Sequence, residues 1–144
     1  MIPARVSIVT LGVDDLERSS RFYEGWGWTR SASSMPSITF FQLANIILAL
    51  YDHTALADDA RLPAGPRSAF GGITLAINVD SPAAVDAAVG TAVAAGGSVL
   101  HHPEPTDWGG YSGYVADPDG HPWEIAHNPF FPIGNDGITR VPDA

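Results

Sequence analysis

The sequence Ile8–Asp15, IVTLGVDD, recurs in altered form at Thr74–Ser81, TLAINVDS. Each copy is a run of apolar and β-branched residues followed by an acidic or hydroxyl side chain. That pattern is typical of a strand that leads into a helix. Similarity between two stretches of one chain indicates repeated structural units. The sequence therefore predicts two modules, each beginning with a strand and a helix.

Both predicted helices have start and stop signals. The first begins near Asp14 or Asp15, which carry capping carboxylates, and ends at Gly25. The second begins after the N-cap Ser81, has proline at its first helical position, and ends before Gly96.

Three short strand candidates follow each helix. They cover residues 28–33, 37–43 and 46–51 in the first half, and residues 98–101, 111–116 and 121–127 in the second. The stretch Asp117–Gly120, DPDG, is suited to a tight turn between the last two. The predicted order is β-α-β-β-β, twice, which defines an α+β fold.

The length of 144 residues is typical of one domain. We expect a single domain over residues 1–144, with module one at about 5–53, a linker at 54–70, module two at about 71–128 and a C-terminal tail at 129–144. The linker contains prolines and glycines without periodicity, which predicts no regular structure there.

Composition excludes several kinds of partner. The 16 acidic and 7 basic residues give a net charge of −9, which repels nucleic acids and anionic membranes. No apolar stretch reaches the roughly 20 residues of a membrane span, and the first residues do not resemble a signal peptide. The absence of cysteine excludes disulfides and thiol nucleophiles. We therefore expect a soluble, cytoplasmic protein.

Three passages resemble the vicinal oxygen chelate (VOC) superfamily of glyoxalases, bleomycin-resistance proteins and extradiol dioxygenases. They are Val6–Tyr23, Gly72–Gly97 and, most clearly, Trp108–His127, WGGYSGYVADPDGHPWEIAH. With the strands between them, the resemblance covers about residues 5–128. It implies that the two βαβββ modules form a curled eight-stranded mixed sheet around a cavity, and that the protein is a homodimer.

Metal-dependent members of that superfamily place four ligands in the cavity, typically His, Glu or Gln. The resemblance puts these positions at Ile8, Leu48 (give or take one residue), Thr74 and Glu124. Only Glu124 is of the ligand type. Because catalytic zinc sites normally use three protein ligands, we expect neither a metal nor another cofactor. We expect all four side chains to line the cavity.

The five histidines do not supply a metal site either. His101 and His102 are adjacent, so on a strand they point to opposite faces. His121 and His127 share a face but lie about 20 Å apart. His53 is expected at the start of a loop. No pair has the spacing of metal ligands.

Aromatic side chains are the stronger indication of a site. Trp108, Tyr111 and Tyr114 lie in the segment that lines half of the cavity in the resembling family, and the two tyrosines are on opposite sheet faces. Residue spacing alone leaves open which tyrosine faces inward. We expect an aromatic or cationic small molecule between Trp108 and the inward tyrosine, with Glu124 facing the positive charge.

Two kinds of function follow from the resemblance, and the missing metal ligands favour the first. One is a non-catalytic binding protein similar to bleomycin-resistance proteins. The other is a divergent glyoxalase-like lyase or dioxygenase-like enzyme that uses Glu124 as an acid or base.

Overall fold

The computed structural model describes residues 1–67 and 69–143. The chain divides into two compact units, Met1–Pro66 and Arg67–Ala144. The described residues form three helices and seven strands, in one sheet of three strands and one of four. The α+β class is confirmed, whereas the prediction of eight strands in one sheet differs from this arrangement.

The first unit contains a three-stranded mixed sheet. Its elements in chain order are β1 (Ile8–Val13), α1 (Leu16–Glu24), β2 (Ile38–Gln42), β3 (Ile47–Asp52) and α2 (His53–Asp59). The central strand is β3, which pairs in parallel with β1 and antiparallel with β2. A buried hydrogen bond of 2.8 Å between the hydroxyls of Ser20 and Thr39 ties α1 to the sheet.

Helix α1 begins and ends as predicted. The Asp15 carboxylate accepts a 3.0 Å hydrogen bond from the Arg18 amide, and Gly25 is the C-terminal cap. Glu17, two residues after the cap, pairs with Arg21 and Arg30.

The predicted strand at residues 28–33 is reduced to a single bridge between Arg30 and Phe41. Trp28 stacks on Tyr23, with the ring centroids 5.5 Å apart, and this contact holds the start of the segment against α1. The serines that follow form a turn, in which the Ser34 amide donates to the Ser31 carbonyl at 3.1 Å. Both contacts divert the backbone from a strand path.

Helix α2 corrects the prediction that the linker has no regular structure. It covers the last residue of predicted module one and the first six of the predicted linker. The Asp52 carboxylate caps it by accepting a 2.9 Å hydrogen bond from the Ala55 amide. A capping aspartate followed by alanine and leucine is a helix signal that the prolines further along obscured.

The second unit follows the predicted β-α-β-β-β order. Its elements are β4 (Leu75–Asn78), α3 (Pro82–Ala94), β5 (Ser98–Pro105), β6 (Tyr111–Ala116) and β7 (Pro122–His127). The strand order is β4-β7-β6-β5, with β4 and β7 parallel and the other pairs antiparallel.

The caps and turns of the second unit match the sequence signals. The Ser81 hydroxyl accepts a 3.1 Å hydrogen bond from the Ala84 amide at the start of α3. Asp117 accepts hydrogen bonds from the amides of Asp119 and His121, both at 2.9 Å, and Gly120 adopts a φ of +87° in the same turn. Helix α3 packs on β5, β6 and β7. Among the described residues, none of the helices combines the length and apolar character needed to cross a bilayer.

Candidate functional site

The two faces of the second sheet are distinguished by α3. The Tyr111 hydroxyl donates a 2.8 Å hydrogen bond to Asp86 of α3, so Tyr111 lies on the helix-covered face. This hydrogen bond is the main reason that the pKa of Tyr111 is raised. Tyr114, three residues further along β6, lies on the other face, which we call the distal face. Tyr114 is therefore the tyrosine turned away from the helix.

Glu124 shares the distal face with Tyr114. It is directly opposite Tyr114 on β6 and opposite Ala76 on β4, which places the three residues in one row across the sheet. Glu124 and Tyr114 are both half-buried, whereas Ala76 is exposed. Within the described part of the chain, neither the carboxylate nor the phenol has a hydrogen-bond or ion-pair partner. An unpaired, half-buried carboxylate is therefore the central polar group of this face.

Neither arginine of the second unit is paired with Glu124. That unit contains no lysine and only two arginines. Arg67 lies 3.6 Å from Asp119, and Arg140 lies 2.9 Å from Asp136. Glu124 therefore presents a negative charge that its own unit leaves uncompensated.

Thr74 and Trp108 lie at different distances from this row. Thr74 is exposed, just before β4 and two residues from Ala76, and so belongs to the same face. Trp108 belongs to the turn before β6, and its ring lies over Gly110, four residues or about 13 Å along the chain from Tyr114.

The buried residues Ser112 and Ala126 occupy the row next to Glu124, on the side toward Gly110. This row separates Gly110, over which the Trp108 ring lies, from Glu124 and Tyr114. Phe130 of the C-terminal tail lies over Gly109 of the same turn. Both aromatic residues are largely exposed, Phe130 by 59% and Trp108 by 44%.

In the first unit, Ile8 and Leu48, which were predicted to lie together, are on opposite faces of the sheet. Ile8 pairs with Ile47, whereas Leu48 pairs with Val9 and Phe41 and is fully buried on the face covered by α1. Because side chains alternate along a strand, Leu48 points away from the face that carries Ile8. The residues of β3 that share the face of Ile8 are its neighbours, Ile47 and Ala49.

We call the face that carries Ile8 the distal face of the first unit. The sequence did not predict three other side chains that lie on it. Phe40 and Tyr51 share it by strand alternation, and the His53 ring lies over Gly12. The alternation of β2 and β3 could have identified the first two, whereas His53 requires knowledge of α2.

The residues at the four family positions do not fit a divalent metal ion. Ile8 and Leu48 have no donor atom in the side chain, nor do Ile47 and Ala49 beside Leu48, and the neutral hydroxyl of Thr74 is a weak ligand. Among the described residues, no group of three or more His, Cys, Asp or Glu side chains could hold a metal ion. No step of chemistry can therefore be assigned to a metal here.

A polar cleft of about 730 Å³ lies beside the start of α1 in the first unit. Its lining includes Asp15, Glu17, Arg30, Ser34 and Met35. The Arg30 guanidinium binds Glu17 and Glu24, each at 3.0 Å. The hydrogen bond from Arg30 lowers the pKa of Glu17, and the pKa of Arg30 is raised in turn. The charges of Arg30 and Glu17 at the cleft are therefore paired within the first unit.

Comparison with protein families gives a match over most of the chain. The model of the "Glyoxalase/Bleomycin resistance protein/Dioxygenase superfamily" matches residues 5–125. A search of curated proteins found no significant match.

Several solved structures are similar to this chain. A glyoxalase-related enzyme from Fulvimarina pelagi is 41% identical, with 96% of this chain and 98% of that chain covered and a TM-score of 0.87. A glyoxalase/bleomycin resistance protein/dioxygenase from Nocardioides is 28% identical, with coverages of 88% and 85% and a TM-score of 0.71. A lactoylglutathione lyase from Agrobacterium tumefaciens is 26% identical, with coverages of 88% and 96% and a TM-score of 0.66.

Proposed function

Because the chain belongs to the glyoxalase/bleomycin resistance protein/dioxygenase superfamily, we propose that it binds a small aromatic cation without a metal ion. The site is the distal face of the second unit, with Glu124 and Tyr114 as the main contacts. One observation carries the proposal: Glu124 is half-buried beside Tyr114, and both arginines of its unit are paired elsewhere.

The chemistry of these two side chains favours a cationic ligand. A hydrogen bond to a charged group contributes about 1.5 to 3 kcal/mol, and a cation over a tyrosine ring contributes about 0.5 to 2 kcal/mol. A bound cation would also compensate the Glu124 charge, whose partial desolvation is otherwise unfavourable. Together with apolar contacts, these terms suffice for micromolar binding.

Calorimetric titration with tryptamine and tryptophol tests the proposal, because the two molecules share an indole ring and differ in the charge of the side chain. We expect Glu124→Gln to weaken tryptamine about tenfold or more, equivalent to about 1.4 kcal/mol, and to leave tryptophol nearly unchanged. Asp80→Asn, which removes an exposed carboxylate of the same unit between β4 and α3, is the control. Equal losses for both molecules, or no binding of tryptamine to the wild type, would contradict the proposal.

A second candidate function is metal-independent catalysis at the same pair. A carboxylate beside a phenol supplies a base and a proton donor at one position. The similar structures include a protein named as an enzyme and one named as a lactoylglutathione lyase, which supports a test of lactoylglutathione turnover in the presence of chelator. Activity that is lost in Glu124→Gln and in Tyr114→Phe would favour catalysis over simple binding.

We also propose that the protein is a cytoplasmic homodimer. Strands β1 and β4 are at the edges of their sheets, and the exposed residues Ile8 and Ile73 lie on or next to them. Unpaired strand edges with apolar side chains favour association with a second copy. Light scattering at micromolar concentration should give twice the mass of the chain, and a monomer would contradict this proposal.

A further inference from the structure

The imidazole of His53 lies against the distal face of the first sheet. A Cβ atom built on Gly12 would be 2.8 Å from the His53 Nδ1 atom and 3.1 Å from the His53 Cα. Gly12 has no such atom, so the ring can lie directly over the backbone of β1. Gly12 is opposite Tyr51 on β3, which places the imidazole next to the tyrosine.

The protonation pattern of the neutral ring follows from its one hydrogen bond. The His53 Nε2 atom is 3.1 Å from the Ala64 carbonyl oxygen. A carbonyl oxygen can only accept, so Nε2 carries the proton. In the neutral imidazole, Nδ1 is then unprotonated and is a hydrogen-bond acceptor. It has no hydrogen-bond partner within residues 1–67 and 69–143.

The strand residues that share this face beside His53 are uncharged. Tyr51 and Ile38 continue the row of Gly12, and Thr10 and Phe40 flank the buried Ala49 in the next row. Tyr51 and Phe40 are half-buried, so part of each ring surface is available for contact. Such a face favours a neutral aromatic molecule over an ion, because these strand residues offer no opposite charge.

We propose that the distal face of the first unit binds a neutral aromatic molecule that carries an N–H or O–H group, and that His53 Nδ1 accepts the hydrogen bond from that group. The molecule packs against Tyr51, and Ala64 acts as a positioning residue that keeps the proton on Nε2. This site lies within the first unit and does not involve Glu124.

Indole and 1-methylindole provide a matched test, because only indole has an N–H group. In protein labelled with ¹⁵N-histidine, the His53 resonances should show a proton on Nε2 and a bare Nδ1. Indole should shift the Nδ1 resonance, and 1-methylindole should shift it much less. His53→Phe, which keeps a ring but removes the acceptor, should weaken indole about threefold to tenfold and 1-methylindole less than twofold.

Gly12→Ala is the second variant, because its new methyl group displaces the imidazole while keeping it in the chain. It should weaken indole as His53→Phe does, whereas His102→Gln on β5 should have no effect. Equal weakening of both probes by His53→Phe would overturn the acceptor role. The proposal would also fail if the wild type bound neither probe, or if indole left the His53 resonances unmoved.

Discussion

Tyr111 and Tyr114 lie on opposite faces of one strand, and each is adjacent to a carboxylate. Tyr111 donates a 2.8 Å hydrogen bond to Asp86 of α3, whereas Tyr114 is opposite Glu124 on the face away from the helix. The same residue type therefore has two roles that are separated by strand alternation. Tyr111 ties the sheet to its helix, and Tyr114 is left for a ligand.

The pH dependence of folding should report on the Tyr111 contact. Its pKa is raised because the hydroxyl donates to Asp86. A raised pKa in the folded protein means that the contribution to stability is complete below the unfolded value of about 10 and is lost as pH rises through the folded value. We expect Tyr111→Phe to be less stable than the wild type at pH 8 in urea, with the difference closing at strongly alkaline pH.

Tyr114→Phe is the control for that measurement, because the Tyr114 hydroxyl has no hydrogen bond within the described residues. Its stability relative to the wild type should be similar at both pH values. A Tyr111→Phe difference that stays constant through the alkaline range would contradict the role of the hydrogen bond.

Asp136, near the C-terminus, should give a second pH dependence of folding stability, in which stability is lost as the pH falls. The pKa of Asp136 is lowered to about 2, chiefly by a hydrogen bond from Arg140 and also by the Ile138 amide. A lowered pKa stabilises the folded protein above the ordinary value near 3.8, and this contribution is lost as pH falls toward 2. In Arg140→Gln, a carboxyl NMR titration should show the Asp136 pKa well above that of the wild type, but still below its ordinary value, because the Ile138 hydrogen bond persists. An unchanged pKa would exclude Arg140 as the cause.

A side chain at Gly110 should destabilise the fold. A Cβ on Gly110 would overlap the Trp108 ring and lie 2.6 Å from the His127 carbonyl oxygen, so Gly110→Ala must move both the ring and the backbone. We expect a destabilisation of about 1 to 3 kcal/mol, as for overpacked sites, with a change in tryptophan fluorescence.

Gly90→Ala is the matched control for Gly110→Ala. Gly90 lies within α3, and an added Cβ would meet nothing within 4 Å. Alanine should therefore stabilise that helix by about 0.5 to 1 kcal/mol. Urea unfolding of the two variants should move in opposite directions, and a neutral Gly110→Ala would show that the Trp108 ring adapts without cost.

Protein purified without chelator should contain no stoichiometric zinc, iron, nickel or manganese. The reason is the donor set: Glu124 is the only carboxylate or imidazole among Ile8, Leu48, Thr74 and Glu124. Elemental analysis, followed by thermal unfolding with and without chelator, measures this directly. One equivalent of metal whose removal lowers the melting temperature would contradict the prediction.

Local signals predicted much of the fold because they act over a few residues. Asp15, Ser81 and the turn at Asp117–Gly120 each carry their hydrogen-bond partners within four positions of the chain. The strand at 28–33 could not be excluded in this way, because what diverts it includes the stacking of Trp28 on a residue of α1.

The residues of the candidate site were harder to predict. A side chain is assigned to the correct face of a strand only if the register of that strand is known without an error of one position. A shift of one position moved Leu48 from the predicted cavity side to the helix side. On β7, Glu124 pairs with Ala76, which is two residues from Thr74. Which tyrosine lies on the same face as Glu124 depends on which face of the sheet α3 covers.

The parallel pairing of β4 with β7 affects the order in which the chain can fold during synthesis. Ala76 pairs with Glu124, 48 residues later, so β4 leaves the ribosome long before its partner exists. The first unit has the same kind of pairing over a shorter span, since Ile8 pairs with Ile47, 39 residues later. Non-local pairing of this kind is slow to form. The second unit therefore spends most of its synthesis with an apolar strand exposed, which is the interval in which a chaperone would act on it.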